Sequence, residues 1–209
     1  MLNIALPKGR LAGEVYRLLS QVGYECAGME EDNRKLVFEN AARDLRYLLV
    51  KPSDVAIYVE HGAADIGVVG RDVLLETEPD VYELMDLGFG RCRLAMAAKQ
   101  GWTDDVSLPL RVATKYPNVT TRYFASRNRQ IEIIKLNGSI ELAPLLGLTD
   151  VIVDIVETGT TLKENDLVVF DTVVPISARL IANKSGYKFK TQAIERIVRE
   201  LAAQTEAET

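Results

Sequence analysis

Short apolar runs alternate along this 209-residue chain with segments in which apolar residues recur at helical spacing. Residues 2–6 predict a strand, and Val15, Leu18 and Leu19 give the next segment the apolar face of a helix that Gly23 ends. Further strands are predicted at residues 47–50, 65–70, 92–98, 111–114, 131–136, 151–156, 168–170 and 176–181. Helical segments between several of these runs predict an α/β protein.

The run at residues 151–156 is apolar and β-branched, which suits a strand inside a parallel sheet. The loop after it contains Thr158, Gly159, Thr160 and Thr161. Its hydroxyls and backbone N–H groups surround a glycine that lets an anion approach closely. Asp154 and Glu157 precede the loop and suit sugar hydroxyls or a cation better than a phosphate. The segment therefore indicates a sugar phosphate, while an ordinary turn with a threonine N-cap is the alternative.

Two cations follow the first predicted strand, in the segment Pro7-Lys8-Gly9-Arg10. In open α/β sheets ligands bind at the carboxyl ends of the strands, where the next helix adds positive charge. Lys8 and Arg10 would repel each other there unless an anion lay between them. A solvated basic turn is the alternative.

Two further segments carry polar groups at predicted turns. Residues 32–36, Asp-Asn-Arg-Lys-Leu, read alone as a charged hairpin turn. At residues 131–144 a predicted strand ends in Asn137-Gly138-Ser139, followed by Glu-Leu-Ala-Pro at residues 141–144. The Gly-Ser turn could offer backbone donors and a hydroxyl to a ligand.

Together these four segments resemble the ATP phosphoribosyltransferase family, in its short form. The Thr-Gly-x-Thr loop is similar to the phosphoribosyl diphosphate (PRPP) loop of phosphoribosyltransferases, with its acids spaced Asp-x-x-Glu rather than adjacent. Leu-Pro-Lys-Gly-Arg, Arg-Lys-Leu and Gly-Ser-x-Glu-Leu-Ala-Pro resemble that family's other signatures. The motifs keep the family's order and spacing across nearly the whole chain.

The resemblance implies a two-lobed, type II periplasmic-binding-protein-like α/β fold with the active site in the interlobe cleft. Residues 1–90 would form the first part of lobe I, residues 91–178 lobe II, and residues 179–209 the return to lobe I with a C-terminal helix. The implied reaction condenses ATP with PRPP to N1-(5-phosphoribosyl)-ATP and diphosphate, the first step of histidine biosynthesis.

The resemblance also assigns roles to residues. Arg10 and Arg34, assisted by Lys8, would stabilise the leaving diphosphate, whose oxygens Mg²⁺ would bridge without a protein metal site. PRPP would be bound by Asp154, Glu157, Thr158, Gly159, Thr160, Thr161 and Ser139. The ATP side is assigned to Asp72, Lys115 and Tyr116 by location.

The composition indicates the cellular location of the protein and excludes some classes of ligand, but it does not indicate the reaction. The chain is 47% hydrophobic and 26% charged with a net charge of −5, which argues against a nucleic-acid-binding surface. Cys26, Cys92 and His61 have no metal-ligand spacing, so a zinc site is not expected. There is no apolar segment typical of a signal peptide or a membrane span, and a cytoplasmic protein is expected.

Only polar residues, 202–209, follow the apolar stripe of the predicted C-terminal helix, which leaves no room for the regulatory domain of long-form relatives. The resemblance implies a homodimer that assembles with a regulatory subunit similar to histidyl-tRNA synthetase. Two rival functions share the implied fold: an anion- or solute-binding protein, and a noncatalytic subunit. The missing export signal argues against the first, and the full set of charged motif residues argues against the second.

Overall fold

The structure is a computed structural model that describes residues 1–29 and 34–207; of Arg10 and residues 206–207 it describes the backbone alone. The chain divides into two compact units. Unit 1 comprises residues 1–74, 78–90 and 177–209, and unit 2 comprises residues 75–77 and 91–176. Within the described ranges, no helix is both long and apolar enough to cross a bilayer.

Unit 1 contains a mixed sheet. Its strands are β1 (Leu2–Pro7), β2 (Val37–Asn40), β3 (Leu45–Val50), β4 (Ile66–Gly70), β5 (Val81–Asp86) and β11 (Ala178–Asn183). They lie in the order β2-β3-β1-β4-β11-β5. Strand β1 pairs in parallel with β3 and β4, so these three strands end at the same edge. The other pairings are antiparallel.

Helices and short turns connect these strands. The helices are α1 (Arg10–Gln21), α2 (Val55–Glu60), α3 (Arg71–Thr77) and α7 (Lys184–Ala207), with 3₁₀ turns at Ala41–Arg43 and Pro52–Asp54. The last three residues of α3 belong to unit 2. The predicted stripe of the last helix is confirmed, because Ile194, Ile197 and Leu201 are buried against the core that includes β1. Burying such side chains contributes about 1.5–3 kcal/mol each, which fixes α7 on the sheet.

Unit 2 contains a second mixed sheet. Its strands are β6 (Cys92–Lys99), β7 (Leu110–Thr114), β8 (Ile131–Lys135), β9 (Val151–Val156) and β10 (Leu167–Ile176), in the order β10-β6-β9-β7-β8. The helices are α4 (Pro117–Ala125), α5 (Leu142–Leu145) and α6 (Thr160–Glu164). The two α/β units confirm the predicted fold class, the two-lobed fold of type II periplasmic binding proteins.

The central strand of unit 2 differs from its prediction in one respect. Strand β9 is parallel to β7 but antiparallel to β6, so the sheet is mixed rather than parallel. Val151, Ile152 and Val153 are nevertheless buried, because neighbouring strands and side chains cover both faces. An apolar β-branched run indicates this two-sided burial, whatever the direction of the neighbouring strand.

The start of α4 corrects a capping prediction. Asn118 is suggested by sequence as the N-cap, but Tyr116 occupies that position and Pro117 is the first helical residue. Proline fits this place because its fixed φ is already helical and its missing N–H would have no helical partner. Asn118 instead donates from its side-chain amide to the carbonyl of Glu76, at 3.0 Å.

Candidate active site

The loop between β9 and α6 turns sharply at Gly159, which has φ 80° and ψ 4°. This left-handed conformation favours glycine, as the sequence suggests. Gly159 itself is the N-cap and no side chain caps α6, so the alternative of a threonine N-cap is wrong. The hydroxyls of Thr158 and Thr160 lie 3.0 Å apart, and the N–H of Thr160 donates to the Thr158 hydroxyl at 3.3 Å.

This loop borders a cavity of about 240 Å³ within unit 2. The lining residues are Glu141, Asp154, Ile155, Val156, Glu157, Thr158, Gly159, Thr160, Thr161 and Leu162. The structure thus brings together both predicted acids and all four predicted loop residues. Polar groups line a space large enough for a small phosphorylated ligand, and the buried side chains of Val156 and Leu162 anchor its walls.

The two acids have different surroundings. Asp154 is half-buried near the end of β9, and its Oδ1 accepts a hydrogen bond from the N–H of Ile155 at 2.8 Å. Glu157 is exposed at the start of the loop. Ionised carboxylates accept hydrogen bonds and donate none, so both acids suit the hydroxyl groups of a ligand.

The Gly-Ser turn contributes a residue that the sequence assignment missed. Glu141 lines the cavity, two positions after the predicted ligand Ser139, which is not among the lining residues. Ser139 is exposed and has a left-handed φ of 48°. Glu141 belongs to the Gly-Ser-x-Glu element, so the motif itself contains this residue. From the sequence, that turn is expected to offer only hydroxyl and backbone donors.

In unit 1, Lys8 lies at the carboxyl end of β1, where the sequence predicts it. Its side chain is exposed, and its N–H donates to the carbonyl of Val50 at 2.8 Å. Pro7 and Val50 are register partners on parallel strands, so the residues that follow them, Lys8 and Lys51, emerge side by side. The sequence assignment missed Lys51, which is also exposed, because only the parallel pairing of β1 and β3 reveals its neighbour.

The two arginines are placed less completely. Gly9 is the N-cap of α1 with φ 94°, and Arg10 is the first residue of that helix; its side chain lies outside the described atoms. Arg34 is exposed and precedes β2 in irregular backbone. Asp32 and Asn33, which complete the predicted hairpin turn, lie outside the described residues.

The residues assigned to ATP fall in both units. Asp72 lies in the first turn of α3, in unit 1, and Lys115 is exposed after β7, in unit 2. The N–H of Tyr116 donates to the hydroxyl of Thr114 at 2.9 Å. Its side chain is only 6% exposed and packs in the core with Val119, which gives Tyr116 a structural role in this conformation.

Ionisable groups with clearly lowered pKa values in unit 2 do not line the cavity. Hydrogen bonds from Ser107, Arg111 and Tyr123 lower the pKa values of Asp105, Asp150 and Asp171, respectively. The Ser107–Asp105 pair lies within one turn, and the other two pairs join neighbouring parts of unit 2. Among the described residues, no group of three or more His, Cys, Asp or Glu side chains is placed to hold a metal ion.

The fold and the PRPP-type loop define a phosphoribosyltransferase of the two-lobed α/β class. A family model described as ATP phosphoribosyltransferase matches residues 51–203. The ATP phosphoribosyltransferase of Brachyspira hyodysenteriae is 61% identical, over 96% of this chain and 98% of that protein. That of Clostridioides difficile is 50% identical, over 95% of both.

Among solved structures, the ATP phosphoribosyl transferase (HisG:HisZ) complex from Thermotoga maritima is similar, with a TM-score of 0.86 and 38% sequence identity. The match covers 99% of this chain and all of that one. The chain belongs to the ATP phosphoribosyltransferase family, whose members are glycosyltransferases that join ATP to PRPP in the first step of histidine biosynthesis. Enzymes of this family use metal ions.

Proposed function

We propose that PRPP binds in the cavity beside Gly159, with its 5′-phosphate on the loop of Thr158 to Thr161 and its ribose hydroxyls on Asp154 and Glu157. The observation that carries this assignment is that both acids and the whole loop line the same cavity. The loop supplies hydroxyls and backbone N–H groups to the anion, and the carboxylates accept from neutral hydroxyls rather than facing the phosphate.

Glu141 belongs to the same proposed site and faces the same cavity. It adds a third acceptor for hydroxyl groups of the ligand. Ser139 keeps its proposed contact with PRPP as a hydroxyl donor at the turn before Glu141. This contact requires the exposed turn to lie against the bound ligand, because Ser139 does not line the cavity by itself.

The leaving diphosphate is proposed to meet the cations of unit 1. Arg10 and Arg34 carry most of this role, Lys8 assists them, and the position of Lys51 beside Lys8 adds a fourth positive charge. Cations at the carboxyl ends of parallel strands face the edge at which ligands bind in open α/β sheets. Arginine suits this role because its planar guanidinium can donate two parallel hydrogen bonds to phosphate oxygens.

The reaction is proposed as a displacement at the ribose anomeric carbon. N1 of adenine donates its lone pair to that carbon, and the bond to the diphosphate oxygen breaks with its electron pair. N1 carries no proton, so a strong general base is not required. Preorganised charge at the leaving group and alignment of two bound substrates supply the acceleration.

Mg²⁺ is proposed to enter as part of the substrate, on the oxygens of the diphosphate. The carboxylates that line the cavity are assigned to the ribose hydroxyls, and the oxygens of the substrate's own diphosphate are the hard ligands that Mg²⁺ prefers. When bound, the ion neutralises charge on the leaving group. Asp72, Lys115 and Tyr116 stay a proposal for the ATP side; Tyr116 could contact the nucleotide only by its edge or backbone, given its burial.

A regulatory subunit is proposed as the protein partner, because the similar structure from Thermotoga maritima is a complex of HisG with HisZ. We propose that this subunit resembles histidyl-tRNA synthetase and that the catalytic chain pairs as a homodimer within the larger assembly. The proposed location is the cytoplasm, where ATP and PRPP are supplied.

The assignment is tested by mixing the purified chain with ATP, PRPP and MgCl₂, with and without the cognate HisZ-type subunit. Phosphoribosyl-ATP and diphosphate should form in equal amounts, and omitting Mg²⁺ should abolish both. Asp154→Asn should weaken PRPP binding in calorimetry and leave ATP binding unchanged, since the amide oxygen can still accept from Ile155. Glu164→Gln, on exposed α6, is the charge control. Equal PRPP affinity in wild type and Asp154→Asn would contradict the proposed ribose contact.

A further inference from the structure

A groove of about 680 Å³ lies in unit 1 at the amino ends of β1 and β3. Its walls include Leu2 and Leu45, which begin those strands, and the first half of α7. Lys8 and Lys51 follow the opposite ends of the same two strands. Six extended residues span roughly 20 Å, so the groove is about that far from the proposed diphosphate cations. It is therefore separate from the substrate edge of this sheet.

The groove carries excess positive charge. Its single acid among the described lining residues, Asp44, is already paired with the amine of Met1 at 2.6 Å. Arg43 and Lys188 are exposed there, and neither has an ion pair with any residue in the described part of the chain. Two side-chain cations thus face solvent without an ion-pair partner among the described residues, in a chain whose net charge is −5.

An aromatic side chain stands beside these cations. Phe189, which also lines the groove, is 89% exposed, more than the other exposed large hydrophobic side chains of the described residues. The helix departs from helical geometry at the next residue, Lys190, whose φ is −121°. Lys190 is held by a 2.7 Å ion pair with Asp65, an almost fully buried side chain, so the backbone beside Phe189 is anchored to the sheet.

We propose that this groove, defined by Arg43, Lys188 and Phe189, is the docking surface for an acidic segment of the regulatory subunit. Aromatic and arginine side chains dominate the energy of protein interfaces, and a carboxylate can accept two hydrogen bonds from one guanidinium. The docked segment places an apolar side chain on Phe189 and carboxylates on Arg43 and Lys188. The inference rests on the proposed partnership with a HisZ-type subunit.

The same charges disfavour a symmetric contact between two copies of this groove. In a two-fold dimer the same patch lies on both sides of the interface, so Arg43 and Lys188 of one copy would face the same cations of the other copy. Like charges facing each other across an interface cost several kcal/mol. A different protein with a complementary acidic surface would satisfy the groove, and the similar structure from Thermotoga maritima is a complex with a second protein, HisZ.

The experiment measures the affinity of the full chain for its cognate HisZ-type subunit by calorimetry, with sedimentation to record self-association. Phe189→Ser and Arg43→Glu should each weaken the complex by at least tenfold, and raising the salt concentration should weaken wild type more than Arg43→Glu. Ile57→Ser, another exposed apolar residue of unit 1, and Arg17→Glu, an exposed cation of α1, are matched controls expected to bind within twofold of wild type. The activity of the isolated chain should not change.

Four outcomes would overturn the inference. Wild-type affinity in both Phe189→Ser and Arg43→Glu would show that the partner docks elsewhere. Loss of self-association, with the partner still bound, would assign the groove to a contact between copies of this chain. Competition for the groove by inorganic diphosphate, without any effect of Phe189→Ser on the complex, would assign it to a small anion. If the wild-type chain does not bind the subunit, the proposed partnership is wrong, and the docking surface that rests on it is wrong as well.

Discussion

Gly159 illustrates how one residue shapes the proposed PRPP site. A Cβ atom placed there would meet only the Cγ1 of Val156, at 3.8 Å, which is an ordinary contact. The protein therefore has space for a side chain, and what requires glycine is its φ of 80° together with the approach of a ligand. A non-glycine residue in this conformation costs about 1 kcal/mol or more.

Replacing Gly159 with valine should weaken PRPP binding by at least tenfold, because the β-branched side chain resists the left-handed conformation and projects where the phosphate must approach. Calorimetric titration with PRPP measures the change. Gly101→Val is the matched control, since Gly101 has the same φ of 80° and open space around its Cα, but does not line the cavity. Both variants should lose similar thermal stability; equal loss of PRPP affinity would mean that backbone strain, and not the site, causes the effect.

At this scale the sequence predicted most of the polar residues that line the cavity but missed Glu141, and in unit 1 it missed Lys51. Asp154, Glu157 and the threonines are adjacent in sequence, so a local motif was sufficient to group them. Glu141 reaches the same cavity from a separate loop, and Lys51 meets Lys8 only through the pairing of β1 with β3. Such contacts depend on tertiary structure. The Gly-Ser-x-Glu motif contains Glu141 without showing which cavity it lines, and no spacing along the chain reveals the neighbourhood of Lys8 and Lys51.

The arrangement of strands determines which charged side chains lie close together. The carboxyl ends of β1, β3 and β4 share one edge of the unit 1 sheet, and Lys8, Lys51 and Arg71 directly follow them. The strands themselves were predictable from their apolar runs. Their directions were not, because a run buried on both faces looks the same beside a parallel or an antiparallel neighbour, as the mixed pairing of β9 shows.

Arg10→Ala and Arg34→Ala should each lower the rate of the chemical step by about 10²–10³, and weaken ATP binding far less, since the lost charge matters most as diphosphate leaves. Single-turnover kinetics separate this step from product release. Arg17→Ala, an exposed arginine on the same helix as Arg10, is the control and should react at the wild-type rate. Unchanged single-turnover rates in both test variants would remove these arginines from the proposed diphosphate site.

The pair of Arg111 on β7 and Asp150 just before β9 should make unit 2 sensitive to acid. Arg111 donates to Asp150 at 2.6 Å, and this hydrogen bond holds the pKa of that carboxyl below its usual value. A carboxylate with a lowered folded-state pKa stabilises the fold above the unfolded-state pKa of about 3.9. That stabilisation disappears as the pH falls through the lower, folded-state pKa.

Asp150→Asn should therefore lower the Tm at pH 7 by a few degrees, since about 1 kcal/mol shifts Tm by about 2–4 °C in a protein of this size. The difference from wild type should shrink as the pH falls below about 4. Differential scanning calorimetry across pH 3–7 measures both effects, with Glu164→Gln as an exposed carboxylate control. A difference in Tm that stays constant down to pH 3 would show that the charge of Asp150 is not its source.

At the scale of the whole molecule, the proposed site and the proposed docking surface occupy different parts of the fold. The cavity with Gly159 belongs to unit 2, the diphosphate cations to the strand ends of unit 1, and the groove with Phe189 to the opposite ends of those strands. If a bound subunit regulates the enzyme, a coupling free energy links the docking surface to the substrate site. Binding of the subunit then changes the affinity for the substrates, and binding of the substrates changes the affinity for the subunit by the same factor. A surface at the opposite strand ends from the proposed diphosphate cations can take part only through such coupling.

Histidine is the end product of the pathway that this reaction begins, and we propose that its binding site belongs to the HisZ-type subunit. We therefore expect histidine to inhibit the complex strongly and the isolated chain weakly. Activity measured against histidine concentration, with and without the subunit, tests this difference, and light scattering records the assembly. At low subunit concentration, the Phe189→Ser variant should be inhibited by histidine as weakly as the isolated chain. When the subunit is in excess, strong inhibition should return. Strong inhibition of the isolated chain at micromolar histidine would place the effector site on the catalytic chain itself. Inhibition that does not follow the fraction of chain in complex would separate docking from regulation.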